Sequence, residues 1–209
     1  MISLNQLAMF AAASTLLIFT PGPDIIYVMT RGMAQGRRAA LAAAAGFALG
    51  NFAHTFFAVV GLSALITSSA LAFSCVKYAG ALYLVYLGIR MLRSSAALVP
   101  EGRAGALQCR VIFHQSILAN IMNPKVALFF LAFFPQFVDP ARGAVAPQML
   151  VLGSTFVLLT MAGFGLVALC AGEIGRLLNR SATTAGRVGQ AAGCVLIALG
   201  LRLAWPERW

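Results

Sequence analysis

Two apolar stretches of this chain are cut by proline near their middles, Phe19-Thr20-Pro21-Gly22-Pro23-Asp24 and Ile121-Met122-Asn123-Pro124-Lys125. Proline has no backbone N–H and collides with the preceding turn, so a helix opens at each of these places. Opened backbone exposes carbonyl and amide groups that hydrocarbon cannot satisfy. Such breaks persist in apolar surroundings only where they pack within protein or line a polar cavity. Each break also carries one ionisable group, Asp24 in the first and Lys125 in the second.

Composition sets the surroundings. Of 209 residues, 61% are hydrophobic and 10% charged, which is too little polar surface to cover a soluble globule. Apolar runs near the roughly 20 residues needed to cross about 30 Å of hydrocarbon recur along the chain. Six spans are read: Leu4–Thr30 (interrupted), Ala39–Thr67, Leu71–Leu92, Gln115–Phe137 (interrupted), Val145–Ala171 and Val188–Trp205. The expected fold is therefore all-α, a polytopic membrane bundle in which helices one and four are broken. The leading Met1-Ile2-Ser3-Leu4-Asn5-Gln6 lacks the positive region of a cleavable signal, so the first span is expected to be retained. Connections are short, the longest running from about Arg93 to His114, and one transmembrane domain over 1–209 is expected.

The net charge of +10 is explained by where the arginines fall. Arg31, Arg37 and Arg38 follow span one, Arg90, Arg93, Arg103 and Arg110 follow span three, and Arg176, Arg180 and Arg187 follow span five. The alternate connections hold only Arg142 beside Asp139, or small polar residues such as Thr67, Ser68 and Ser69. This alternation places the arginine-rich loops in the cytoplasm and both termini outside, and removes any need for a nucleic-acid partner. Cys75, Cys109, Cys170 and Cys194 form no CxxC pair and point to neither a zinc site nor a redox couple.

The halves also resemble each other. Leu87-Gly88-Ile89-Arg90-Met91-Leu92 closes span three and Leu199-Gly200-Leu201-Arg202-Leu203-Ala204 closes span six, while Pro23 corresponds to Pro124. With three spans per unit the second copy must be inverted relative to the first, repeat one covering about 1–93 and repeat two about 115–209.

Several residues can do chemistry in such a bundle. The amides that restart the helix after Pro21, Gly22 and Pro23 form a positive half-helix end suited to a carboxylate. Asp24 lies in the same turn, either capping the restarted helix or binding an ammonium group or a proton. Asn123 can cap the segment begun by Pro124, and Lys125 either snorkels to the interface or sits at depth. If both breaks lie at the midplane, Asp24 and Lys125 are neighbours of opposite charge, the pattern an α-amino acid complements. His54 and Asn51 share one face of span two. The histidine either carries a proton or donates to a backbone carbonyl. Tyr83 in span three and Asn120, one turn before the second break, are the remaining candidates, ahead of Tyr78, Tyr86 and Gln115. Gly46-xxx-Gly50 and Gly189-xxx-Gly193 permit close helix pairing within one subunit or in a homodimer.

Thr20-Pro21-Gly22-Pro23, Tyr83-Leu84-Val85-Tyr86-Leu87-Gly88, and Asn123-Pro124-Lys125 followed by Phe134-Pro135-Gln136-Phe137-Val138, together with Gly46, Gly50 and His54, resemble the LysE/RhtB family of amino-acid exporters over nearly the whole chain. The resemblance implies efflux of amino acids or close derivatives, whether basic, hydroxylated, branched or lactone, across a bacterial inner membrane in exchange for protons. No Gly-rich ATP-binding loop occurs, so no nucleotide or other cofactor is expected. Where family members commonly read Arg-Gln-Gly before span four, this chain has His114-Gln115-Ser116.

Two other classes stay open. A cation or metal carrier would need several converging carboxylates or thiolates, and only Asp24 lies in a span. A membrane-embedded enzyme acting through His54 and Asp24 on a lipid would be expected to show a nucleophile motif or a metal cluster, and the chain has neither.

Overall fold

The computed structural model describes residues 2–62, 70–93, 106–180 and 182–205. The connection residues Thr67, Ser68, Ser69 and Arg103 lie outside these described residues. Within them the chain is helical. Ser3 opens α1 (Leu4–Phe19) with a reciprocal capping box to Gln6. Pro21 then stops it, and α2 (Pro23–Gln35) restarts at an angle of 56°. Gly36, at φ 83°, turns the chain into α3 (Arg37–Phe57), which widens into a π-type turn over Ala58–Leu62.

The next helix is α4 (Ala70–Arg93). After the arginine-rich connection, α5 (Cys109–Ile121) meets the second break, and α6 (Pro124–Leu128) continues through a π-type turn to Phe137 at a bend of 45°. The long α7 (Val145–Arg180) and α8 (Ala182–Ala204) complete the bundle.

By length and hydropathy three unbroken segments among the described residues can cross a membrane, Arg37–Gly61, Val145–Ile174 and Gly186–Ala204, and each bent pair meets the same test when its two helices are taken together. The remaining long helix of the six-span expectation, α4, has 24 residues and so a length of about 36 Å. The helix of expected span four begins at Cys109, before Gln115, and that of expected span five runs past Ala171 to Arg180, its membrane-crossing stretch being Val145–Ile174.

Lipid tails are as apolar as leucine, so helices in a bilayer associate by close packing of small residues. The bundle follows that rule. A Cβ on Gly46 would lie 2.4 Å from the Phe113 carbonyl oxygen, and one on Gly50 would lie 2.7 Å from Asn120 Oδ1, so the Gly46-xxx-Gly50 pattern seats α3 on α5. The two broken elements are held from opposite sides in the same way: α1 and α2 pack on α7, α5 packs on α3, and α3 packs on α7 between them. The helices α4 and α8 pack against each other, and α4 also packs on the π-type turn at Phe129–Phe133. Phe10, Phe129, Phe130, Phe133, Phe134, Phe137 and Phe156 are buried together beneath the second break, with Phe130 and Phe134 stacked at 4.8 Å. Leu82, Leu118, Met122 and Leu158 face outward, where hydrocarbon covers them at no cost.

Candidate functional site

The two breaks meet. In an unbroken helix the Leu17 carbonyl would accept the N–H of residue 21, and the Asn120 carbonyl that of residue 124; both residues are proline. Each acceptor takes a local backbone N–H, Thr20 at 3.2 Å and Asn123 at 2.9 Å, and in addition a side chain from a distant part of the chain. The Lys125 ammonium donates to the carbonyls of Leu17 at 3.3 Å and Thr20 at 3.1 Å. His54 Nε2 lies 3.0 Å from the Asn120 carbonyl oxygen. A carbonyl only accepts, so Nε2 carries the hydrogen in this contact. The His54 ring stacks on Phe130 at 5.5 Å.

Asp24 follows Pro23 as Lys125 follows Pro124, and it is held in a complementary way. Asn123 donates Nδ2 to Asp24 Oδ1 at 2.6 Å while its own Oδ1 accepts the Lys125 backbone N–H at 3.0 Å. One asparagine therefore caps α6 and ties it to α2. Asp24 does not cap its own helix: the N-cap is Gly22, and no side chain bonds there. The Lys125 ammonium sits at the negative end of α1, and the Asp24 carboxylate in the positive first turn of α2. Asp24 and Lys125 make no direct ion pair. Lys125 is buried among the two helix ends, which sets aside snorkelling to the interface.

Gly22 plays a part different from the one its residue type suggests. Its φ of −164° is extended backbone open to any residue. What glycine supplies is room, because a Cβ there would stand 3.1 Å from Lys125 Nζ.

Two cavities flank the clasp. The smaller, about 10 Å³, is lined by Asp24, Asn51, Asn120, Lys125 and Thr160 together with apolar side chains, and has space for about one water molecule. Asn51 and Asn120 are 0% and 1% exposed, and their Oδ1 atoms have no protein partner. Asn51 Nδ2 donates to Thr160 Oγ1 at 3.1 Å, and that hydroxyl donates onward to the Phe156 carbonyl.

The larger cavity, about 300 Å³, is bounded by Pro21, Gly22, Pro23, Asn123, Pro124 and Lys125 on the clasp side and by Tyr83, Leu87, Arg90, Met91 and Leu196 from α4 and α8. That volume lies at the lower end of the range for small-molecule sites, roughly 300–1,000 Å³. Lys125 lines both cavities.

The sequence candidates thus divide. Pro21, Gly22, Pro23, Tyr83, Asn123, Pro124 and Lys125 border the larger cavity, and Asp24, Asn51 and Asn120 join Lys125 at the smaller one. His54 lines neither and reaches the break through backbone. Gln115 is occupied elsewhere, accepting from the Tyr27 hydroxyl at 2.9 Å. Thr160, Arg90, Leu87, Met91 and Leu196 are additions from the structure. The α4 residues had a readable signal, since Tyr83, Leu87, Arg90 and Met91 recur at helical spacing on one face. Thr160 carried none. Among the described residues no cluster of His, Cys, Asp and Glu could hold a metal ion.

An apolar helical bundle whose two broken helices meet around buried charges defines a multi-pass membrane translocator. The chain belongs to the LysE type translocator family, whose profile matches residues 15–206. It is 36% identical over 193 residues, 91% of this chain and 93% of the relative, to a Vibrio cholerae protein described as an uncharacterized membrane protein. It is 38% identical over 152 residues, 73% of each chain, to the homoserine/homoserine lactone efflux protein of Salmonella typhimurium. A leucine efflux protein of Enterobacter is 28% identical over 196 residues, 93% of each chain. No solved structure matches the chain.

Proposed function

We propose that this protein exports amino acids or close derivatives from the cytoplasm across a bacterial inner membrane, with protons moving in exchange. It works as a single domain of six spans in two inverted repeats, with both termini outside. The observation that carries this reading is the clasp itself: Asp24 bound to Asn123, Lys125 bound to the end of α1, and a cavity of about 300 Å³ against them. The names of the efflux relatives support the substrate class.

The inverted repeat draws support from the α4–α8 crossing. A Cβ on Gly88 would stand 2.6 Å from the Gly193 carbonyl oxygen, and one on Gly200 would stand 2.8 Å from that of Ala81. Gly88 matches Gly200 in the repeated motif, and Gly193 and Ala81 each lie seven residues before these glycines. The contacts are therefore reciprocal, as across a two-fold axis.

Exchange follows from what holds the clasp shut. A substrate carboxylate arriving in the larger cavity competes with the Leu17 and Thr20 carbonyls for the Lys125 ammonium and frees the end of α1. A proton on Asp24 removes the charge that makes its bond to Asn123 strong. Substrate and proton thus loosen the two halves of one joint, and the breaks act as hinges for alternating access. His54, bound to the Asn120 carbonyl, couples α3 to the same hinge and assists proton movement.

Replacing Asp24 by Asn keeps the shape and removes the titratable group. In everted vesicles the Asp24→Asn variant should be inserted and folded like wild type, yet should lose amino-acid movement driven by a pH gradient. Undiminished coupled transport by this variant would refute the assignment.

A further inference from the structure

We propose that Arg90 is a specificity-determining residue that, with Lys125, makes the larger cavity select amino acids with uncharged side chains and turn away lysine- and arginine-like cations. The inference rests on the export reading above and adds the substrate's side-chain charge to it. Its basis is the sign of the charges at the cavity wall. Lys125 is buried on the clasp side and Arg90, in the last turn of α4, is exposed, while among the described residues no carboxylate lines the space. Asp24, the acid of the clasp, lines the smaller cavity and not this one. Leu87, Met91 and Leu196 supply an apolar part of the lining, beside the polar side chains of Tyr83 and Asn123.

Every amino acid brings an α-ammonium and an α-carboxylate, so those terms cancel when two substrates are compared. What remains is the side chain. An aliphatic or hydroxylated one meets Leu87, Met91 and Leu196 and loses water favourably. A terminal ammonium or guanidinium meets two like charges, the buried Lys125, whose repulsion is strengthened by its low-dielectric surroundings, and the exposed Arg90, whose repulsion is screened by solvent. Discrimination built from a repulsive element is the common way to reject a near relative of the true substrate.

The test is transport by purified protein in proteoliposomes with an imposed pH gradient, using radiolabelled leucine, homoserine and lysine. Wild type should move leucine or homoserine at least about tenfold faster than lysine. Unlabelled lysine should compete poorly with leucine. Arg90→Gln should narrow the ratio, Arg90→Glu should shift it toward lysine, and Arg90→Lys should keep it near wild type, which separates a charge effect from damage to the fold.

Equal transport of lysine and leucine by wild type, or a ratio unchanged in active Arg90→Glu protein, would overturn the role of Arg90 while leaving amino-acid export standing. Should wild type carry no amino acid at all, the export reading itself falls, and the selectivity with it.

Discussion

At the scale of single residues, two carbonyls that lose a proline-blocked partner at the breaks, those of Leu17 and Asn120, are each given a side-chain donor. Lys125 serves Leu17, and His54 serves Asn120. The Asn120 carbonyl also accepts the Asn123 N–H at 2.9 Å, so losing the histidine leaves it partly satisfied. His54→Leu, of similar volume, should therefore destabilise the protein by about 1 kcal/mol, the worth of one net hydrogen bond. Pro124→Ala restores an N–H at the position where the Asn120 carbonyl would ordinarily find one. In that background the His54→Leu cost should shrink, giving a coupling of at least about 0.5 kcal/mol between sites that are 70 residues apart in sequence. Denaturant unfolding of the four proteins in detergent measures it, and strictly additive effects would show that His54 does not stand in for the missing amide. Proline, asparagine and charge at the breaks were all legible in the sequence, because their chemistry is local. The use of Gly22 as space for Lys125, and the pairing of Asn51 with Thr160, depend on neighbours more than 100 residues away and leave no mark on local pattern.

At the scale of elements, apolar runs report where a helix meets hydrocarbon and say little about where it ends. Hence α5 begins before Gln115, through Cys109 and Arg110, and α7 continues beyond Ala171 through Gly172, Glu173 and Ile174 to Arg180. The π-type turns at Ala58–Leu62 and Phe129–Phe133 were equally silent, since the second lies in an unpunctuated run of Phe, Leu and Ala. The two bends were legible, because proline makes them. Small-residue spacing was legible as a pattern and ambiguous as a contact. Among the described residues, the second glycine of the Gly189-xxx-Gly193 pair touches another helix, its Cβ position lying 2.7 Å from the Gly88 carbonyl oxygen, whereas nothing stands within 4 Å of the first. Gly193→Val should accordingly force α4 and α8 apart and cost about 1–3 kcal/mol, as overpacking does. Gly189→Ala, in the same helix, should be nearly neutral in monomer stability. Thermal unfolding of the two variants checks this contrast, and a similar loss from both would mean that Gly189 is covered by a further surface, such as a second copy of the chain.

At the scale of the whole molecule, the question is whether a bent pair crosses the membrane or turns back. A re-entrant segment reverses direction, which needs a bend approaching 180°, whereas Cys109–Ile121 and Pro124–Phe137 differ by only 45°. A deflection of that size keeps the chain moving onward, and the six-span proposal accordingly predicts that residues before and after the pair lie on opposite faces of the bilayer. Two exposed positions report this directly. Cys109 opens α5 on the arginine-rich side, and Arg142, ion-paired to Asp139 at 3.0 Å, lies in the short connection beyond Phe137. An exposed ion pair of this kind is worth little, so Arg142→Cys should fold normally. With Cys75, Cys170 and Cys194 replaced by Ala, a membrane-impermeant maleimide should label Cys109 in everted vesicles and not in intact cells. In a variant that also lacks Cys109, Arg142→Cys should show the reverse. Labelling of both from one side would make the second break a re-entrant loop and overturn the six-span plan. Labelling from opposite sides in the inverted sense would keep the plan and exchange inside for outside, placing the Arg90 edge of the larger cavity at the outer face and making uptake the natural direction of loading.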